Sequence, residues 1–326
     1  MWSRFAAAFS LFLLSPLIAE YLLGSLPMSM IVILPVMALM YGGGAVVIRE
    51  LVRRTGRGWP SIILLATAYG LIEEGLVDQS LFNPNYLHLR LLDYGFVPAL
   101  GTSLVWAIYV IALHMFWSIS VPIGMTESLF KNKRDTPWLG TIGLVVFGLL
   151  YLAGATLVFV FTNKSLPFMA SPAQLGGTAA LVVVLVIAAF AWPKPHATGG
   201  KAPQPMLLFS VPLVLGSAFI LSEFFAPGLH LAPAVAAALL FGLEALMCLF
   251  MLVFTRGKAW SDVQRFALMA GGLSVYIWCG FKTDFTLHGV ADLPAHTVIA
   301  VLFVALLLFA GWRSTKVPKA AVTDTH

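Results

Sequence analysis

Polar residues along this chain fall in short clusters separated by long apolar runs. Ten runs stand out: 5–24, 28–48, 60–82, 100–124, 138–162, 172–193, 205–225, 231–254, 263–282 and 291–312. The breaks carry loop chemistry, as in Gly56-Arg57-Gly58, Asn83-Pro84-Asn85, Asn132 to Pro137 and Pro193 to Pro205. Most of the runs meet or exceed the roughly 20 apolar residues that take a helix across a bilayer. In lipid every backbone N–H and C=O must be satisfied internally, so only helices and closed barrels span. Runs this long and this evenly apolar do not alternate as barrel strands do. The pattern therefore predicts an all-α fold: a polytopic bundle of about ten membrane helices in a single membrane domain.

Composition strengthens this reading. The chain is 60% hydrophobic and 10% charged, against about 45–50% and about 25% for soluble domains. The 326 residues would suggest two soluble domains by length alone; here they suggest one bundle in contact with the lipid bilayer. Arg4 followed by the run Phe5–Gly24 resembles a signal peptide. The run is long for one, contains Glu20 and has no A-x-A site, so it reads as a retained first helix.

The net charge of +5 is a topology signal. With the N-terminus inside, the cytoplasmic segments hold Arg4; Arg49, Arg53, Arg54 and Arg57; Lys131, Lys133 and Arg134; Lys194 and Lys201; Arg256, Lys258 and Arg265; and Arg313, Lys316 and Lys319. Of the 19 lysines and arginines only Arg90, Lys164 and Lys282 face out, as the positive-inside rule asks. Both termini are thus expected in the cytoplasm, and the protein in the cell membrane, of the bacterial plasma-membrane type. No basic, aromatic-interleaved patch suggests nucleic acid. Cys248 and Cys279 lie inside apolar runs and offer neither a disulfide framework nor CxxC spacing. Asn163-Lys164-Ser165 is a glycosylation sequon, meaningful only in a eukaryotic secretory setting.

A faint parallel repeat links 1–124 with 205–312, leaving 138–193 as a two-helix insert. Glu20 matches Glu223, Tyr41-Gly42 matches Phe241-Gly242, and Leu87-His88 matches Leu287-His288. Arg57-Gly58-Trp59 resembles Gly257-Lys258-Ala259-Trp260. Parallel repeats occur in transporters.

Candidate chemistry concentrates in the third run. Glu73, Glu74 and Asp78 stand in Tyr69-Gly70-Leu71-Ile72-Glu73-Glu74-Gly75-Leu76-Val77-Asp78-Gln79-Ser80. On an α-helix Glu74 and Asp78 share a face with Gly70, and Glu73 points about 100° away. Three carboxyl groups cannot all ionise cheaply in hydrocarbon; they call for a cation, a proton or a water-filled cavity. The plain alternative is that Asp78 to Ser80 already lie at the outer interface. His114, near the middle of the fourth run, can be a metal ligand or a general base, or can simply bond a neighbouring helix. Counted along the predicted helices, its depth differs from that of Glu73 by roughly 6–10 Å, which tilt or a break at Pro122 could close. Glu20, Glu223 and Glu244 are weaker candidates, and Glu20 and Glu223 could join one cavity. Gly42-Gly43-Gly44 suits close helix packing. The segment Asn83 to Ala99 reads as an ordered outer cap, and Lys131 to Asp135 as a topology anchor.

The stretch Glu73-Glu74-Gly75-Leu76-Val77-Asp78-Gln79-Ser80-Leu81-Phe82 resembles the first motif of the CAAX-protease and bacteriocin-processing (CPBP) family of intramembrane proteases. That motif is two glutamates, three residues, then arginine and glycine; Asp78 and Gln79 stand in the last two places here. His114 would play the part of the histidine on the following helix. The resemblance covers residues 60–120. It implies that Glu73, Glu74 and His114 activate water for peptide cleavage with a divalent metal such as zinc; by residue type the candidate metal ligands are Glu74, Asp78 and His114. The rival expectation is an ion- or proton-coupled transporter of a small molecule, and a third is a non-catalytic membrane scaffold.

Overall fold

The computed structural model describes residues 2–195, 203–255 and 260–316. Its ten long helices are α1 Arg4–Leu22, α2 Met28–Arg54, α3 Trp59–Val77, α4 Leu104–Leu129, α5 Thr141–Ser165, α6 Pro172–Ala191, α7 Pro205–Phe225, α8 Pro233–Val253, α9 Asp262–His288 and α10 Leu293–Thr315. Among the described residues, nine of these are long and apolar enough to cross a membrane. The tenth, α9, is 27 residues long and more polar, because it carries Asp262, Arg265, Lys282 and Asp284. The only strands described are a two-residue antiparallel pair, β1 Phe96–Val97 and β2 Thr102–Ser103, in the loop before α4. All ten predicted runs became helices, and their cores coincide with the apolar segments.

The helices divide into interior and lipid-facing sets. The most apolar stretches of α3 and α4 are 72% and 78% buried, whereas those of α5 to α8 are only 11% to 22% buried. α4 is the axis: it touches α1, α2, α3, α8, α9 and α10. With no hydrophobic drive between helices in lipid, close packing and polar contacts must hold the bundle. Ser15 on α1 donates to the carbonyl of Ser118 on α4 at 2.6 Å. Trp117 on α4 donates from Nε1 to the carbonyl of Gly272 on α9 at 2.8 Å, and its ring stacks on Tyr276. Glycines admit backbones to one another: a Cβ at Gly42 would strike the carbonyl of Phe12, and one at Gly271 the carbonyl of Phe209.

Arginine and lysine bonds tie one end of the bundle together. Arg54 at the end of α2 reaches the carbonyl of Leu139 before α5, and Arg57 before α3 reaches that of Trp192 after α6. Lys131 after α4 reaches that of Lys316 after α10 at 2.8 Å. Even-numbered helices thus finish where odd-numbered ones begin, which is the alternation expected from the basic residues. Lys201, Arg256, Lys258 and Lys319 of that pattern lie outside the described residues, as do Gly257 to Ala259 of the repeat.

Helix boundaries moved where polar residues found partners in the bundle. α2 runs on to Arg54 because Arg49 and Glu50 are fully buried in a charge network. α3 stops at Val77, and the chain past it stays inside: Gln79 and Ser80 are buried, with Gln79 accepting from the backbone of Ala170 at 2.7 Å. α4 runs from Leu104 to Leu129, four or five residues later at each end than the apolar run 100–124.

Candidate functional site

Four helices depart from α-helical winding, and they do so around one point. π-helical turns occupy Leu17–Leu22 in α1, Ala38–Gly42 in α2, Glu73–Val77 in α3 and His114–Ser120 in α4. Proline stands beside three of them. Pro16 precedes the first directly, Pro35 stands one turn before the second, and Pro122 follows the fourth. A proline removes an N–H and crowds the carbonyl four residues back; for Pro122 that carbonyl is Ser118, inside the fourth turn, where a wider turn relieves both. Such turns are rare and recur at functional sites. Here they carry Glu20, Tyr41, Glu73, Glu74 and His114.

These side chains share one depth. At 1.5 Å per residue, Glu20, Tyr41, Glu73 and His114 stand about 20–24 Å from the arginine-rich ends of their helices. The depth gap foreseen between Glu73 and His114 vanishes because α4 continues to Leu129. Neither tilt nor a break at Pro122 is needed.

At the centre, His114 lies between two glutamates. Its Nε2 is 2.7 Å from Oε1 of Glu74, and its Nδ1 is 3.2 Å from Oε2 of Glu73. The three residues are 5%, 7% and 2% exposed for His114, Glu74 and Glu73. One ligand atom from each lies within 4.8 Å of the others, near enough to share a metal ion. The two sides of the ring differ. Nε2 and Glu74 form a hydrogen bond, whereas Nδ1 and Glu73 Oε2 are buried without a hydrogen-bond partner. Gly70 lets the ring approach, since a Cβ there would lie 3.0 Å from that of His114.

A second layer holds the three in place. The other oxygen of Glu74 accepts from Ser80, which in turn accepts from Trp106 Nε1 at 3.1 Å. Tyr41 stacks on the His114 ring with centroids 6.0 Å apart and donates its hydroxyl to Glu20. Ser25 donates to the second oxygen of Glu20 at 2.6 Å. Tyr69 packs against the Tyr41 and His114 rings. Glu20 therefore joins the site, through Tyr41, a residue that sequence reasoning noted only as part of the repeat.

Other candidates fall elsewhere. Asp78 does not join the group formed by Glu73, Glu74 and His114. It accepts from Tyr86 at 3.0 Å and from Thr162 at 3.4 Å. The expectation that Asp78 shares a face with Glu74 assumed an α-helix. The π turn bonds Asp78 N to the carbonyl of Glu73 at 2.7 Å, and the wider turn carries Asp78 past the face of Glu74. Glu223 and Glu244 are half-buried on α7 and α8, with no hydrogen bond or ion pair among the described residues. The segment 83–99 does form a cap, with Tyr94 bonded to the carbonyl of Leu231 at 2.8 Å.

The arginine-rich end holds a network that the sequence reading treated as topology anchors. Arg49 and Arg53 both bind Glu127, at 3.1 and 2.7 Å. Arg49 also pairs with Glu50 at 2.7 Å and stacks on Trp138. Arg134 and Lys131 bind Asp262 at 2.5 and 3.1 Å. Ending α4 at residue 124 hid Glu127 from view.

Fold and site together define a polytopic α-helical membrane protein with a carboxylate–imidazole centre buried among four helices. The chain belongs to a family described as an uncharacterized membrane protein family, which matches residues 10–322. No curated protein and no solved structure matches significantly.

Proposed function

We propose that Glu73, Glu74 and His114 form the centre of a metal-dependent intramembrane hydrolase. The single observation behind this reading is the contact between His114 Nδ1 and Glu73 Oε2. With the ring proton on Nε2, toward Glu74, Nδ1 presents a lone pair to a carboxylate oxygen 3.2 Å away. Two acceptors that close, dehydrated and without hydrogen-bond partners, need a proton or a metal ion between them. Tetrahedral zinc with bonds of about 2.0–2.1 Å sets neighbouring ligand atoms about 3.3 Å apart, so the spacing fits.

In this reading His114 and Glu73 hold the ion. Glu74 fixes the tautomer and orientation of the imidazole, as carboxylate partners of metal-bound histidines do. A bound divalent metal supplies a water of lowered pKa. Ser80, itself bonded by Trp106, keeps the other oxygen of Glu74 oriented. Tyr41 and Glu20 close the opposite side, with the phenol positioned to relay a proton toward Glu20. The paired glutamates and the histidine on the next helix are the features shared with the CPBP proteases, and their meeting here supports that kinship.

A second reading follows from the same contact. A proton can replace the metal, making His114 an imidazolium bridging two carboxylates. A centre of that kind, with Glu20 nearby, suits a proton-coupled transporter. Metal content separates the two. Protein purified without chelator should carry one equivalent of divalent metal, and Glu73→Gln and His114→Gln should lose it while keeping wild-type helicity by circular dichroism. Metal-free wild-type protein that stays metal-free after incubation with zinc would sink the hydrolase and leave the proton-coupled reading.

A further inference from the structure

At the arginine-rich end, a cleft opens between the start of α3, the end of α4 and the start of α9. Its polar wall consists mainly of donors. Trp260 is 8% exposed, lines the cleft, and has no partner for its indole N–H among the described residues. Arg265, one turn into α9, is half-buried and lines the same cleft with no hydrogen bond or ion pair among the described residues. Arg134 also lines it, with Nη1 on Asp262 and Nε buried without a hydrogen-bond partner among the described residues. Glu127 also reaches the cleft, but Arg49 and Arg53 hold both its oxygens. Asp262 is likewise held by Arg134 and Lys131. The remaining carboxylate near Arg265, Asp135, is exposed and lies 3.5 Å from Arg134 Nε.

The Trp260 indole N–H and the Arg265 Nε–H are buried at one cleft without an acceptor among the described residues, and a dehydrated donor without one is costly. The remaining wall is apolar and aromatic, formed by Trp59, Leu268 and Met269. By the positive-inside rule this end lies at the cytoplasmic leaflet, where tryptophans sit at the headgroup level. We propose that the cleft binds a phosphate group through Arg265, Trp260 and Arg134. A guanidinium binds phosphate through paired N–H bonds. The phosphate can belong to a phospholipid headgroup, whose chains would follow Trp59 and Met269, or to free inorganic phosphate.

The test uses the full chain in a neutral maltoside detergent, with binding read by native mass spectrometry and thermal shift. The probes are short-chain phosphatidic acid, the matching diacylglycerol without phosphate, and inorganic phosphate. Phosphatidic acid should bind and diacylglycerol should not. Arg265→Gln should weaken binding by about tenfold or more. Trp260→Phe, which keeps the ring and loses only the N–H, should weaken it several-fold. Arg90→Gln, on the opposite end, should change nothing. Inorganic phosphate competing at similar concentration identifies the free anion as ligand; failure to compete identifies the lipid. Neither Arg265→Gln nor Trp260→Phe strands a partner, so both should fold. The site is refuted if no phosphate compound binds, if diacylglycerol binds as well as phosphatidic acid, or if both variants bind as wild type does.

Discussion

At the scale of single residues, what matters is how each buried charge is compensated. Glu127 takes bonds from two guanidiniums, and Arg49 is enclosed by Glu50, Glu127 and the Trp138 ring. Removing one member of such a group leaves the others dehydrated and unpaired, at about 3–5 kcal/mol. Glu127→Ala is therefore expected to lower the thermal unfolding temperature of the detergent-solubilised protein sharply. Asp93→Ala removes the exposed pair with Arg90 and should cost at most about 1 kcal/mol. Equal effects of the two would contradict the buried network. The same scale shows how much of the site the sequence could reveal. Glu73, Glu74 and His114 were visible by residue type, because ionisable groups inside an apolar run are conspicuous. Asp78 leaves the group because the winding from Glu73 onward is π, and nothing in the residue types announces the wider turn except the prolines beside three of its four occurrences.

At the scale of helices, proline and glycine act together. Pro16 has no N–H to offer the carbonyl of Phe12, four residues back, and Gly42 of α2 lies directly on that carbonyl. Adding a methyl group at Gly42 must push α1 and α2 apart at the level where both begin their approach to the site. Gly148 on α5 has nothing within 4 Å of the place a Cβ would take. Gly42→Ala should destabilise the protein by about 1–3 kcal/mol, the range for overpacking a close contact. Gly148→Ala should be neutral or stabilising by up to about 1 kcal/mol, since alanine is the better helix former. Unfolding in graded sodium dodecyl sulfate, followed by circular dichroism, measures both. A tolerated Gly42→Ala would mean that the helices are not in contact there. Gly42-Gly43-Gly44 could be read from the sequence as a packing motif, but its partner could not, because proximity to Phe12 depends on how α1 and α2 cross.

At the scale of the whole molecule, the division into interior and lipid-facing helices sets which apolar residues meet lipid. Leu149 on α5 and Leu308 on α10 are 61% and 72% exposed, whereas Ile119 on α4 is fully buried, though all three read alike as membrane leucines or isoleucines. Spin labels on cysteines at 149 and 308 should relax rapidly with dissolved oxygen in liposomes. A label at 119 should be shielded from oxygen or should disrupt folding. Similar oxygen access at all three positions would overturn the arrangement of helices. Hydrophobicity cannot rank these helices, because lipid and the inside of a membrane bundle select the same side chains.

The sequence alone determined that this chain is a ten-helix membrane bundle, how its helices alternate, and which residues were too polar to be passive. Those properties follow from transfer of single residues and single segments into lipid, which depends on composition and length. The tertiary structure decided the rest: the end of α4 at Leu129, the meeting of Glu20, Tyr41, Glu73, Glu74 and His114 at one depth, and the exclusion of Asp78, Glu223 and Glu244. These depend on where helices cross and how their turns are wound, and both are set by contacts between residues far apart in the chain.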